Sequence, residues 1–269
     1  MINRPTFLTG LASSALAAAV PAGIDFSFPG RLGVVTQRLN ESAPAIAYHA
    51  DDIFASASII KLLIALAVTR RLAQTKTPWD DALALQAAQI VSSSETFETA
   101  KPGTKATYAA LLSAMIAQSD NTAANVLADF IGLDALNYTA AQLGLPQTKM
   151  GRHFMDFDAR KAGHENYTSA ADMARLTRLI ALDPVKYQRI IGAMLSQEDR
   201  ELIPAAIVRS VMIADKTGTL PDVRHDVAIV GFASASPYVL AILSGGFQDL
   251  KTAARGIRSI VAQIDRVMV

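Results

Sequence analysis

Ser58 and Lys61 are the first residues of this sequence whose types and spacing could do chemistry. They open the run 58–73, SIIKLLIALAVTRRLA, whose apolar residues on nearly every side predict a helix buried within a domain. On such a helix the two side chains lie one turn apart on the same face. A serine needs a nearby base to become a nucleophile, and burial can lower the proton affinity of a lysine enough to supply one. The pair by itself also fits a helix N-cap followed by a lysine that reaches solvent.

Two further groups of polar residues follow later in the chain. Ser119-Asp120-Asn121 falls between two helical segments, where a turn can present a hydroxyl and an amide to a cleft or simply begin the next helix. Lys216-Thr217-Gly218-Thr219 ends a predicted strand, and its glycine allows a substrate to approach the backbone closely. An ordinary strand end followed by a turn has the same composition. Each group alone therefore fits both a chemical and a structural interpretation.

Strand-like segments stand at both ends of the sequence, and helical segments fill the middle. Mixed β-branched and polar runs predict strands at 31–38, 43–48, 209–217, 226–234 and 238–244. Apolar residues at three-to-four spacing predict helices at 58–73, 107–118, 122–131, 133–143, 169–182, 184–195 and 250–267. An antiparallel sheet built from both chain ends and covered by helices on each face buries all these elements. We therefore predict an α+β fold with a helical subdomain inserted at about 58–200.

The composition excludes several classes of chemistry. The chain has 269 residues, a formal net charge of +1 and no cysteine. A near-neutral charge gives no electrostatic basis for a nucleic-acid partner, and without cysteine there are no disulfides, thiolate zinc sites or catalytic thiols. The histidines form no closely spaced metal-binding motif. We expect a monomer that needs no metal or other cofactor.

The first residues resemble an export signal. Arg4 precedes the apolar run 7–20, and Ala17-Ala18-Ala19 suits a signal peptidase. The run is too short to span a bilayer comfortably, so we expect no stable membrane anchor. These features predict a signal peptide at 1–22, one domain at 23–269, and a periplasmic or secreted protein.

Taken together and in this order, the three motifs SxxK, SDN and KTG resemble the signature of penicillin-recognising serine enzymes. The chain is thus similar to the group formed by class A β-lactamases and penicillin-binding proteins. The resemblance covers essentially the whole chain after the signal. It implies a β-lactamase/transpeptidase-like fold, in agreement with the α+β prediction.

The resemblance also implies a role for each matched residue. Ser58 would be the acylated nucleophile and Lys61 its helper in proton transfer. The backbone N–H groups of Ser58 and Thr219 would form the oxyanion hole. Ser119 would relay a proton to the departing ring nitrogen. The other matched residues would bind the substrate, in particular its amide and carboxylate: Asn121, Lys216, Thr217, Gly218, Thr219 and Arg224.

The match is incomplete in one loop. In class A β-lactamases, which this chain resembles, a glutamate in an Arg-x-Glu-Pro loop hydrolyses the acyl-enzyme, and an asparagine helps it. Here the corresponding loop is 151–166, and Arg152 is followed by His153-Phe154-Met155-Asp156. Asp156 and Glu165 are the carboxylates that could substitute. We favour Glu165 because Asn166 stands beside it.

The resemblance therefore implies a serine hydrolase of the class A β-lactamase type, which hydrolyses the β-lactam amide through a Ser58 acyl-enzyme and so supports antibiotic resistance. A D-Ala-D-Ala carboxypeptidase or esterase on the same fold is one alternative. A non-hydrolytic penicillin-binding sensor, in which Ser58 stays acylated, is another. The loop 151–166 distinguishes these functions.

Overall fold

A five-stranded antiparallel sheet is built from both ends of the chain, as the sequence predicts. The computed structural model describes residues 23–269, so the predicted signal peptide at 1–22 lies outside the described residues. Strands β1 (Arg31–Arg38) and β2 (Ile46–Tyr48) come from the beginning of the domain. The other strands, β7 (Met212–Leu220), β8 (Val223–Phe232) and β9 (Tyr238–Gly245), come from the end. The strand order is β2-β1-β9-β8-β7, which places β7 at one edge.

Alternating side chains of the sheet are divided between two hydrophobic cores. On β9, Leu240 and Ile242 pack in the core formed with the terminal helix α9 (Leu250–Met268). Val239, Ala241 and Leu243 of the same strand pack in the larger core on the other face, which includes the helical subdomain. Successive side chains of a strand point to opposite faces, so both faces of this strand must be apolar.

The helical subdomain surrounds the buried helix α1 (Lys61–Thr75), which contacts five other helices of the described chain. These are α2 (Tyr108–Ala117), α3 (Asn121–Ile131), α4 (Leu133–Gln142), α6 (Ala170–Leu182) and α7 (Gln188–Leu195). Two further short helices are α5 (Phe157–Lys161) and α8 (Ile203–Ala206). Two small antiparallel pairs complete the fold: β3 (Phe54–Ala55) with β6 (Tyr167–Thr168), and β4 (Ala82–Ala84) with β5 (Lys105–Thr107).

Several element boundaries differ from the sequence prediction. The segment predicted as helix from residue 58 begins as a 3₁₀ turn, Ala57–Ile60, and becomes α-helical at Lys61. Helix α7 begins at 188 rather than 184, because Asp183 accepts a hydrogen bond from the Lys186 backbone and holds a turn there. The loop predicted at 151–166 contains the short helix α5. Within the described residues, no helix has the length and hydrophobicity that crossing a membrane requires.

The KTG motif lies inside β7 rather than at its end. Strands β7 and β8 pair up to Leu220 and Val223, so only Pro221 and Asp222 connect them. The hairpin therefore extends the strand past Thr219, and the motif becomes part of an edge strand whose outer side faces the 3₁₀ turn.

Candidate active site

Three segments that are distant in sequence meet around one cleft of about 480 Å³. They are the 3₁₀ turn Ala57–Ile60, the turn that precedes α3, and strand β7. The cleft is lined by motif residues from all three segments: Ser58, Ser119, Asn121, Thr217, Gly218 and Thr219. The structure therefore brings together the residues that the sequence singled out.

Ser58 is half-buried at the wall of the cleft, with strand β7 directly against its backbone. A Cβ added at Gly218 would lie 3.0 Å from the Ser58 backbone nitrogen and 3.1 Å from the Ala57 Cβ. Contacts this short are rare, so a larger residue would push the strand away from the serine. Gly218 is thus needed for the close approach of β7 to the nucleophile, and this approach brings the backbone of Ser58 beside that of the KTG motif.

Lys61 is fully buried, and its amine is surrounded by acceptors from the turn before α3. Its Nζ lies 2.6 Å from the Ser119 carbonyl oxygen and 2.8 Å from Asn121 Oδ1. The Ser119 Oγ lies 3.2 Å away. A neutral amine has two N–H groups and one lone pair. Its two N–H groups can therefore donate to the two nearer oxygens, and its lone pair can accept a proton.

Burial and a neighbouring cation favour this neutral form. The pKa of Lys61 is lowered well below its usual 10.5, first by burial and then by the charge of Lys216, while Asp120 opposes the shift. Burial likewise lowers the pKa of Lys216 to about 8. The Lys216 Nζ donates to the Thr217 carbonyl oxygen at 3.0 Å. Lys61 is therefore suited to accept a proton, and Lys216, whose pKa lies near 8, carries a positive charge at neutral pH.

The turn that presents Ser119 is held by the buried carboxylate of Asp120. One of its oxygens accepts from the Ala123 backbone at 2.7 Å and caps α3, while the other accepts from Thr96 and Phe97, each at 3.0 Å. Ser119 itself has a φ of 59°, a left-handed conformation that serine seldom adopts. These hydrogen bonds hold the strained turn in place, so that its hydroxyl and carbonyl both face Lys61.

Asn121 lines the cleft, and Arg224 contacts Thr219, another of its lining residues. Asn121 is bound on both sides: its Oδ1 contacts Lys61, and its Nδ2 donates to the Ser93 carbonyl oxygen at 2.9 Å. Arg224, on β8, donates to the Thr219 hydroxyl and forms ion pairs with Asp199 at 3.1 Å and Glu201 at 3.0 Å. Arg224, which the resemblance implies binds the substrate, thus lies next to the KTG motif.

Glu165 and Asp156, the two predicted candidates for the deacylation base, contact other residues of the loop 151–166. Glu165 forms ion pairs with Arg152 at 2.6 Å and Arg160 at 3.1 Å, and it also accepts from the Asn166 backbone. Asp156 caps α5 by accepting from the Ala159 backbone at 2.9 Å. Both carboxylates therefore stabilise the loop 151–166. The hydrogen bonds and ion pairs of Glu165 all lie within this loop, and its action at the catalytic centre stays a prediction.

Sequence reasoning missed Phe154, which lies beside Lys61. The Lys61 Nζ is 4.6 Å from the centroid of the Phe154 ring. Asn125, on α3, accepts a hydrogen bond from the Phe154 N–H at 2.8 Å and donates one to the Phe154 carbonyl oxygen at 3.2 Å. Phe154 comes two residues after Arg152, where an Arg-x-Glu-Pro loop has its glutamate. That spacing was the signal that could have identified it.

Comparison with known proteins establishes the family. The sequence model of the Beta-lactamase enzyme family matches residues 15–267, nearly the whole chain. The chain belongs to this family. Its predicted identity as a class A β-lactamase-like serine hydrolase is confirmed, and so is its α+β fold.

Individual relatives agree with this assignment. The chain is 28% identical to β-lactamase FAR-1 of Nocardia farcinica, over 94% of this chain and 82% of that protein. It is 26% identical to the solved structure of an ancestral class A β-lactamase, with a TM-score of 0.79 over 89% of this chain and 95% of that one. A structure of a PBP-A point mutant, in an acyl-enzyme complex with penicillin-G, shares the fold. It has a TM-score of 0.79 at 24% identity and covers 89% of this chain and 90% of that one.

In the described part of the chain, histidine and acidic side chains form no cluster of three or more that could hold a metal ion.

Proposed function

We propose that this protein hydrolyses β-lactams through an acyl-enzyme formed on Ser58. The observation that carries the proposal is the buried amine of Lys61, hydrogen-bonded to Ser119 and Asn121, two residues that line the same cleft as Ser58. An amine with a lowered pKa is the base that a serine nucleophile needs. The names of the relatives, including FAR-1, support β-lactams as the substrate class.

The motif residues account for each step of acylation. Neutral Lys61 accepts the proton of the Ser58 hydroxyl as the serine oxygen forms a bond with the β-lactam carbonyl carbon. Backbone N–H groups of Ser58 and Thr219 stabilise the oxyanion. The ring C–N bond then breaks, and Ser119 passes the proton from Lys61 to the departing nitrogen. Lys61 is neutral again at the end of this step.

The substrate carboxylate binds at the other side of the cleft. Lys216, Thr217 and Thr219 lie on one strand there, and Arg224 donates to the Thr219 hydroxyl. Charge-assisted hydrogen bonds from such groups to a carboxylate are stronger than neutral ones. Because Asp199 and Glu201 already neutralise much of the Arg224 charge, Lys216 is the main cation for the carboxylate.

Acylation by a carboxylate-bearing substrate should weaken at alkaline pH. Lys216 is charged below its pKa of about 8 and loses its proton as the pH rises through that value. The acylation efficiency of benzylpenicillin is therefore expected to fall above about pH 8, in a stopped-flow series extending from neutral to strongly alkaline pH. The methyl ester of benzylpenicillin has no carboxylate and should show no such fall. Identical profiles for the two compounds would rule out this role for Lys216.

Ser58→Ala should abolish covalent labelling because it removes the nucleophile. We expect the purified variant to gain no mass when incubated with benzylpenicillin, with unchanged circular dichroism. Ser259→Ala, a matched change of an exposed serine on α9, should label like the parent protein. Stoichiometric labelling of the Ser58 variant would refute the assignment of the nucleophile.

A D-alanyl-D-alanine peptidase is the second candidate, since the same residues can acylate Ser58 with a peptide. One observation favours it: Lys61 forms no ion pair with a carboxylate in the described residues, so hydrolysis of a penicilloyl-enzyme lacks an evident base. Release of D-alanine from diacetyl-Lys-D-Ala-D-Ala by the parent protein, and not by Ser58→Ala, identifies the peptidase. Hydrolysis of penicillin without D-alanine release identifies the β-lactamase.

We further propose that the protein is exported and acts in the periplasm or outside the cell, where it would contribute to antibiotic resistance. The apolar run at 7–20 and the alanines at 17–19 support an export signal. We expect the protein recovered from the periplasm or medium of a bacterial host to have lost about the first 22 residues by mass spectrometry. A variant lacking residues 2–22 should stay in the cytoplasm. Recovery of uncleaved full-length protein in the cytoplasm would contradict export.

A further inference from the structure

We infer that His225 is a positioning residue for Ser58, because its ring holds the chain segment that leads into the nucleophile against the sheet. The Nε2 atom of His225 lies 2.9 Å from the carbonyl oxygen of Ala55, three residues before Ser58. His225 belongs to β8, so this contact joins two distant parts of the sequence. The inference rests on the proposed acylation of Ser58, since it concerns how the serine is presented to the substrate.

The pairing of β7 with β8 places the ring of His225 beside the turn that carries the nucleophile. Gly218 pairs with His225, and directly opposite residues of neighbouring strands direct their side chains to the same face. This face packs against the 3₁₀ turn, since a Cβ added at Gly218 would lie 3.0 Å from the Ser58 nitrogen. Gly218 has no side chain, so the ring of His225 is the part of this pair that reaches the segment before Ser58.

The hydrogen-bond partners of the ring assign one neutral tautomer. The Nδ1 atom of His225 accepts a hydrogen bond from the backbone N–H of Ser244, on β9, at 3.1 Å. A carbonyl oxygen can only accept, so the ring proton must be on Nε2, which donates it to Ala55. The ring is fully buried, and burial lowers the pKa of His225 to about 4. At neutral pH the ring therefore carries a single proton, on the nitrogen that faces Ala55.

The ring of His225 is itself held in place. Phe54, the residue before Ala55, packs against it in an edge-to-face arrangement, with ring centroids 5.8 Å apart. Strand β8 lies between β7 and β9, so the backbone of His225 is hydrogen-bonded within the sheet on both sides. The ring thus connects the segment before Ser58 to the interior of the sheet.

The segment that the ring holds continues into a strained backbone. Ala57 has a φ of 46°, a left-handed conformation that alanine seldom adopts. Strain of this kind persists only where neighbouring contacts hold it. Two hydrogen bonds hold the residues before Ala57: Ala55 accepts from His225, and the Ser56 N–H donates to the Asn166 carbonyl oxygen at 2.7 Å. Loss of the first bond would let Ala57 relax, and the Ser58 hydroxyl would then move relative to Lys61.

The test compares His225→Gln with His225→Asn. The terminal amide of glutamine reaches about as far as the histidine Nε2 and can still donate to the carbonyl oxygen of Ala55. The amide of asparagine reaches only about as far as Nδ1, so it can keep an acceptor for Ser244 but loses the bond to Ala55. His49→Asn, the same change at an exposed histidine, is the matched control.

Acylation by benzylpenicillin is followed by rapid quenching and intact mass at several concentrations. This series separates the rate constant of acylation from the dissociation constant of the initial complex. We expect His225→Asn to lower the rate constant by about tenfold or more, since a displacement of about 1 Å can cost about 10²-fold in rate. The dissociation constant should change far less, because the groups that bind the substrate carboxylate are retained. His225→Gln should restore most of the rate constant, and His49→Asn should match the parent.

The possible failures are distinguishable. A His225→Asn variant with unchanged circular dichroism and the parental acylation rate constant would overturn the inference. Equal losses in the asparagine and glutamine variants would do the same, because the bond to Ala55 would then not be the cause. The parent protein supplies a measurement that needs no variant to fold: a proton on Nδ1 of His225 in ¹⁵N NMR spectra at neutral pH would exclude donation to Ala55.

Failure of the proposed function has a different signature. If the parent forms neither an adduct with benzylpenicillin nor penicilloate, Ser58 is not acylated and a role of His225 in acylation falls with it. If the parent is acylated and the asparagine variant alone is slow, both the proposed function and the positioning role of His225 are supported.

Discussion

The burial of the Lys61 amine is the constraint on which the rest of the site depends. A charged ammonium in a protein interior is costly unless it is paired, and the described residues give this amine carbonyl, amide and hydroxyl oxygens but no carboxylate partner. The desolvation cost of burying the amine is therefore smallest when the amine is neutral. The neutral amine is also the form that can accept a proton from Ser58. The aromatic ring of Phe154 closes the remaining side without supplying a counter-charge.

Three parts of the fold serve this constraint. Helix α1 carries Lys61 into the interior, the Asp120-capped turn brings oxygens to its amine, and β7 adds the Lys216 cation that disfavours a second positive charge. The absence of a side chain at Gly218 lets β7 approach Ser58. Because β7 is an edge strand of the five-stranded sheet, its free side is available to a substrate in the cleft. The chemistry thus depends on how the sheet and the helical subdomain meet.

Much of this could be predicted from the sequence, because strong periodicity and special residue types mark it. Strand-like and helical periodicity predicted an antiparallel sheet covered by helices, which the two cores match, and the three motifs predicted which side chains meet. Two features could not be predicted so simply. The pairs β3–β6 and β4–β5 are two or three residues long, too short to show a period. Glu165 was favoured for its neighbour Asn166, yet the arginines at 152 and 160 determine where its carboxylate lies.

The protonation state of Lys61 tests this account most directly. Protein labelled with ¹³C at the lysine Cε can be titrated by NMR, and the Lys61 signal is assigned by its loss in Lys61→Arg. The account predicts that this signal titrates well below the usual lysine pKa of 10.5, because burial and the Lys216 charge disfavour the ammonium. A Lys61 signal that titrates together with those of the exposed lysines would contradict it, because the amine would then be an ammonium throughout the range in which Ser58 must react.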